Sequence, residues 1–230
     1  MGNIFIGLDD TDNHESRGTG YLARMIAEKL SEKYKIHGVT RHQLLFDPRV
    51  PYTAKNSCAA IILNSAGEDD LDALFSEVRE IMLSDFQVGS DPGLCVCDQV
   101  PDSVQAFGQS AQKELVNQTQ ARDLAKTHQI RLEGLGGTND GGIGALAAVG
   151  LAAFGNDGRY VQIGRTRDYN QLVPVNELLS AGINMVIDLE GNTVGEGDVL
   201  AQKLRPSRRE GKVILYVHRC DDYWAPDKLD

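Results

Sequence analysis

Apolar and polar positions along this chain follow two periods in turn, one of strands and one of helices. Ile4 to Leu8 is a short apolar run of strand type, and Tyr21 to Tyr34 carries apolar residues at helical spacing, which predicts a strand and then an amphipathic helix. Ile36 to Phe46 reads as a strand with polar interruptions, and Ala59 to Leu63 as a further strand. Leu71 to Leu83 is a second helix, opened by the acidic run Glu68-Asp69-Asp70 that suits a helix N-terminus. Leu94 to Val96 is short and apolar after the Asp91-Pro92-Gly93 turn, and the polar stretch from Gln109 to Gln129 reads as one largely exposed helix. Ile143 to Phe154 is alanine-rich and apolar all round, a helix buried on most of its circumference. After Asp168 the texture changes to a short helix near Val175 to Ser180, a strand-like run from Met185 to Glu190, a turn at Gly191-Asn192, a run from Val199 to Leu204, and KVILYVHR from Lys212 to Arg219.

This order predicts an α/β (α+β) fold, a mixed sheet with packed helices and ferredoxin-like elements. A core is expected over residues 1–168 and a small β-rich appendage over 169–230.

The chemistry concentrates where the first strand ends. Ile4 to Leu8 runs straight into Asp9, Asp10 and Asp12 and then into Gly18-Thr19-Gly20 ahead of the first helix. Carboxylates so close repel one another, so such a cluster must be well solvated, cap a helix, or be neutralised by a metal. Mg2+ takes one or two carboxylates and leaves its other positions to water and phosphate oxygens, which suits an acidic strand end facing an open loop. Two other readings stay open on these residues: a turn with an N-cap for the following helix, and the strand plus Asp-x-Asp signature of aspartyl-phosphate hydrolases, matched by Asp10-Thr11-Asp12 without that family's usual continuation. Gly134 to Gly144 holds six glycines in eleven residues directly before the buried helix, which makes it a candidate phosphate cradle. It lacks a P-loop ending, and a loose turn that lets the helix approach the sheet explains it equally well.

Four blocks in order resemble the archaeal tRNA-isoleucine agmatidine synthetases, ATP-dependent enzymes that attach agmatine to the wobble cytidine of a tRNA. They are IGLDDTD followed by Gly18-Thr19-Gly20-Tyr21-Leu22, DPRVPYTAKNSCAAI from Asp47 to Ile61, DPGLCV from Asp91 to Val96, and GGIGALAAVG from Gly141 to Gly150. The resemblance places Thr19 on that family's catalytic threonine. It implies Mg2+ at Asp9, Asp10 and Asp12, ATP phosphates near Gly18, Gly20, Gly141, Gly142 and Gly144, and a catalytic set of Asp9, Asp10, Thr19 and Lys55. Departures accompany it. Thr53 and Lys55 stand where the family has two cations, and LEGLGGTND stands where it carries a basic run. What remains looks like an ATP-handling core, so the implied function is Mg2+- and ATP-dependent transfer of a phosphoryl or nucleotidyl group to a small-molecule acceptor. A non-catalytic nucleotide-binding or regulatory protein and a tRNA-modifying subunit with a separate tRNA-binding partner are the alternatives.

Charge adds a constraint. With 23 Lys and Arg against 33 Asp and Glu, the net charge is -10, and the isolated chain is therefore expected not to bind tRNA. Arg205, Arg208 and Arg209 read as the solvated tip of a hairpin, while Arg165 and Arg167 are candidates to meet phosphates on one face of an extended segment. Cys58, Cys95, Cys97 and Cys220 suit neither a disulfide framework nor a zinc ribbon and read as buried thiols, and His218, Asp221, Asp222 and Trp224 as surface. No apolar run is long enough to span a bilayer and no secretory leader is evident, so the chain is expected in the cytoplasm without a membrane partner, with a homo-oligomer left open.

Overall fold

The computed structural model describes residues 2–51, 56–65 and 70–227. The chain divides into two units, residues 1–154 and 155–230.

The first unit opens with β1 (Asn3–Asp9), α1 (Thr19–Leu30), β2 (Lys35–Gln43), β3 (Ser57–Asn64), α2 (Leu71–Ser84) and β4 (Gly93–Cys97). This is the βαββαβ order of ferredoxin-like folds, and its strands lie in the order β4-β1-β3-β2 with antiparallel neighbours, as the sequence leads one to expect. β5 (Arg131–Gly134) adds antiparallel to the free edge of β4. Side chains alternate across a strand, so Ile4, Ile6 and Leu8 of β1 face one way, while Phe5, Gly7 and Asp9 face the other. The first face packs under α1 and α2, through Leu22, Ile26 and Leu30 and through Leu74, Val78 and Met82, all buried. Asp70 caps α2, its carboxylate accepting from the amides of Asp72 and Ala73 at 3.0 Å each.

The opposite face is covered by α5 (Gly141–Phe154), which is buried from Gly144 to Ala152 and shares a core with Phe5, Ala60, Cys95, Phe107 and Ala121. Small residues set the distance between helix and sheet: a Cβ on Gly7 would strike the carbonyl of Ala145, and one on Gly93 the carbonyl of Gly141. The polar stretch from Gln109 to Gln129, expected as one helix, holds only the end of one helix and then a second. α3 (Asp102–Ser110) starts behind Pro101, and α4 (Gln118–Thr127) starts at Asn117, whose side chain accepts from the Gln120 amide while the Gln120 side chain accepts from the Asn117 amide. That reciprocal cap fixes where α4 begins.

The second unit contains β6 (Arg159–Gln162), β7 (Leu172–Pro174), α6 (Val175–Ser180), β8 (Met185–Asp188), β9 (Asp198–Leu200), β10 (Ser207–Arg209), β11 (Lys212–Cys220) and β12 (Tyr223–Pro226). Parallel pairs occur here, β8 with β11 and β9 with β12, so the chain as a whole carries mixed pairing. The division falls before the boundary expected at 168, because β6 hydrogen-bonds to β10 of the second unit and Tyr160 belongs to its core. The solvated arginine tip is also corrected. Arg208 is 4% exposed, donating to the Tyr160 hydroxyl at 2.5 Å and to the carbonyl of Gly211 at 3.1 Å. The other two arginine candidates are engaged locally, Arg165 with Asp168 at 3.3 Å and Arg167 with the carbonyl of Val161 at 3.0 Å. Cys58, Cys95 and Cys97 are buried as expected, and burial pushes the Cys97 thiol up to about 11, so these are inert thiols.

Candidate functional site

β1 delivers Asp9 to the face covered by α5, and its carboxylate lies directly against Gly144 in the first turn of that helix, where a Cβ would collide with it. The chain then leaves the strand through Asp10, which adopts the left-handed region at φ 47°. That conformation is costly for a residue with a side chain, and the Asp91 amide, donating to the Asp10 carbonyl at 3.1 Å, helps to hold it. Asp12 turns back toward α1. Its Oδ1 accepts from the Thr19 amide at 3.2 Å and from the Thr19 hydroxyl at 2.9 Å. The Thr19 oxygen accepts in turn from the hydroxyl of Thr11 at 3.2 Å, and both threonines are buried. Thr19 is thus the first residue of α1, and the carboxylate that caps the helix comes from Asp12 rather than from the N-cap residue Gly18.

The glycine-rich segment behaves differently from a bare cradle. The carboxylate of Asp91 accepts from the amides of Thr138, Asn139 and Asp140 at 3.0, 2.7 and 3.1 Å and from the Thr138 hydroxyl at 2.5 Å. The donors just before α5 therefore face a side chain of the protein itself. Asp140 accepts from Gln118 at 2.6 Å, which ties the start of α4 to the same loop. Neither Asp91 nor Asp140 was among the expected site residues. Each lay inside a block already singled out, but their meeting depends on a contact across 47 to 49 positions that no local pattern encodes.

Asp9, Asp10, Asp12, Thr19, Gly141 and Gly144 line one cleft of about 1020 Å³. Gly18, Gly20 and Gly142 are not among its lining residues, and Lys55 lies outside the described residues. Asp91, Asp140 and Glu114 add to the acidic side, while Leu44, Leu45, Val50, Leu115 and Val116 form an apolar wall. The first turns of α1, α4 and α5 all contribute to the lining, so three helix N-termini bring partial positive charge to a cleft rich in carboxylates. Arg49, a basic side chain on the wall, is paired with Asp47 at 2.8 Å.

Electrostatics reflect this crowding. Burial, then the neighbouring Asp10, pushes Asp9 up to about 8, with Asp12 and Asp91 adding to the effect. Asp10 rises to about 6 through burial, then Asp91, Asp12 and Asp140. Among the described residues no group of three His, Cys, Asp or Glu side chains is arranged to hold a metal. The donor set still fits Mg2+, which needs few protein oxygens when phosphate and water supply the rest, and a divalent charge would relieve the repulsion that raises both acids.

No protein-family model matches the chain. Over 65% of its length it is 29% identical to the isoleucine-tRNA 2-agmatinylcytidine synthetase TiaS of Thermococcus sibiricus, covering 35% of that protein. To TiaS of Cenarchaeum symbiosum it is 25% identical over 64% of the chain and 33% of the relative, and to an uncharacterized protein of Methanocaldococcus jannaschii 26% identical over 66% and 51%. Two solved structures share its fold at 26% identity: the complex of TiaS with its isoleucine tRNA and ATP, with a TM-score of 0.58 over 65% of this chain and 36% of that one, and a tRNA fluorescent labeling enzyme, with a TM-score of 0.57 over 64% and 36%. The family that the four sequence blocks resemble is thus the one to which the chain is similar, over part of the synthetase core. The chain spans about a third of the length of the TiaS relatives. The expectation that the isolated chain does not bind tRNA is not borne out by the comparisons, since one of the structures it resembles is a tRNA complex. A net charge of -10 describes the whole surface, whereas a polyanion is met locally. Among the described residues no helix is long and apolar enough to cross a membrane.

Proposed function

We propose that this chain is an Mg2+- and ATP-dependent enzyme that transfers a phosphoryl or nucleotidyl group to a small acceptor. The observation that carries the reading is the convergence of Asp9, Asp10 and Asp12 with the N-termini of α1 and α5 on one cleft. Phosphates supply negative charge for the helix ends, and a divalent ion reconciles them with the carboxylates.

In this reading Asp9 and Asp10 hold Mg2+, which when bound neutralises charge on the phosphate oxygens. Asp12 serves at the edge of that set and fixes Thr19, whose hydroxyl is thereby aimed from a buried position rather than left to rotate. Gly141 and Gly144 let the first turn of α5 approach the Asp91 backbone and the Asp9 carboxylate more closely than any side chain would allow, and Gly144 thereby gives Asp9 its place. Lys55 is assigned to neutralising developing charge, on the resemblance alone. The apolar wall from Leu44 to Val116 leaves a surface for a base or for the acceptor.

Calorimetry with ATP in Mg2+ and in chelator, followed by identification of the products, tests the proposal. ATP binding is expected to need the metal and to weaken at least tenfold in Asp10→Ala. Equal affinity in chelator would sink the metal-bridged site, and pyrophosphate or ADP among the products distinguishes nucleotidyl from phosphoryl transfer. A second reading, in which the acceptor is carried on tRNA, is supported by the similarity to the tRNA-bound TiaS structure. It predicts turnover that appears only when tRNA is added.

A further inference from the structure

We propose that Asp91 is a positioning residue for the phosphate side of the cleft, an inference that rests on the ATP-dependent reading above. Its carboxylate sits where an anionic ligand is ordinarily held in a nest of successive backbone N–H groups. Oδ1 takes the Asn139 amide, and Oδ2 takes the amides of Thr138 and Asp140 together with the Thr138 hydroxyl. The loop wraps closely around it. Gly137 and Asn139 both adopt left-handed conformations, at φ 57° and 67°, and a Cβ on Gly137 would come within 2.8 Å of the Asp91 carboxyl carbon.

The same residue reaches the metal side through its backbone. Its amide donates to the carbonyl of Asp10, and its carbonyl is packed so tightly on Gly141 that a Cβ there would collide with it. The carbonyl of the next residue, Pro92, accepts from the Leu135 amide at 2.6 Å. Asp91 therefore joins three parts of the site: the left-handed turn that aims Asp10, the loop before α5, and the start of α5 itself. With its oxygens taken up by four donors, Asp91 shapes the site instead of serving as a metal ligand. With the amides of 138–140 occupied, the phosphates are steered to the first turns of α1 and α5, beside Asp10.

Asp91→Ala, Asp91→Asn and Thr138→Val separate this role from simple stabilisation when amide hydrogen exchange at 138–140, affinity for Mg·ATP and melting temperature are all measured. In Asp91→Ala the three amides should exchange at least tenfold faster and the Kd for Mg·ATP should rise at least tenfold. Asp91→Asn, which keeps one acceptor oxygen of the same shape, should recover most of both. Thr138→Val removes one bond only and gives the same trend, about threefold, if the alanine variant does not fold. A lowered melting temperature and faster exchange with wild-type affinity would overturn the proposal, and so would unchanged exchange in Asp91→Ala. A wild-type chain that binds no Mg·ATP would sink the functional reading instead, leaving the exchange measurement to judge whether Asp91 holds the loop.

Discussion

The carboxylate of Asp9 occupies the space that a side chain at Gly144 would need. Gly144→Ala should therefore push Asp9 off its place, lower stability by about 1–3 kcal/mol as overpacking does, and weaken Mg·ATP binding at least tenfold. Thermal unfolding and calorimetry on the same variant check both effects.

Thr19 is held by Asp12 and Thr11 at the start of α1, so its removal should lower turnover as well as stability. Thr19→Ala loses about 1 kcal/mol as a capped helix start does, and is expected to lose ATP turnover at least tenfold, whereas Thr19→Ser keeps the hydroxyl and most of the rate. A folded alanine variant with near-full turnover would leave Thr19 a purely structural part in the start of α1.

The raised acids set the sign of the pH dependence. A carboxyl that binds its proton more tightly in the native chain than in the unfolded one makes the native state lose stability as pH rises between its unfolded and folded pKa values. For Asp9 that window runs from 3.8 to about 8 and for Asp10 from 3.8 to about 6. In chelator the melting temperature should fall by several degrees from pH 5 to pH 8. Mg2+ or Asp9→Asn should flatten that slope, and a melting temperature that rises over this range would contradict the crowding of the acids.

Arg208 is structural. Arg208→Ala removes the hydrogen bonds from its buried guanidinium to the Tyr160 hydroxyl and the Gly211 carbonyl in the second unit and should lower stability by about 2 kcal/mol, with Mg·ATP affinity unchanged. A large loss of affinity in a folded variant would give Arg208 a part in the site.

The first strand, the acidic run and the helix from Thr19 were legible because each depends on residues close in sequence. Strand period and turn chemistry brought Asp9, Asp10 and Asp12 to the strand end, and the βαββαβ order followed from helices and strands long enough to show a period. The break between α3 and α4 was readable in principle, since Asn117 and Gln120 stand at capping-box spacing. β6, β7, β9 and β10 are only three or four residues long, too short for alternation to declare itself, and so the second unit was recognised by texture and its boundary misplaced. Asp91 was hidden for another reason. Its meaning lies in donors from residues 138 to 140, and nothing in the Asp91-Pro92-Gly93 turn announces them.

At Gly7 and Gly93, where α5 rests on strand backbone, sequence drift has no small first step. One added methyl group at either position meets a carbonyl oxygen of α5, so the seat of that helix on the sheet can change only by several substitutions arriving together. The apolar rim at Leu45, Val50 and Leu115 carries no such restriction. Divergence among proteins built on this core should therefore be read from the rim, where a new acceptor can be accommodated one residue at a time, while the seat of α5 on the sheet records common descent.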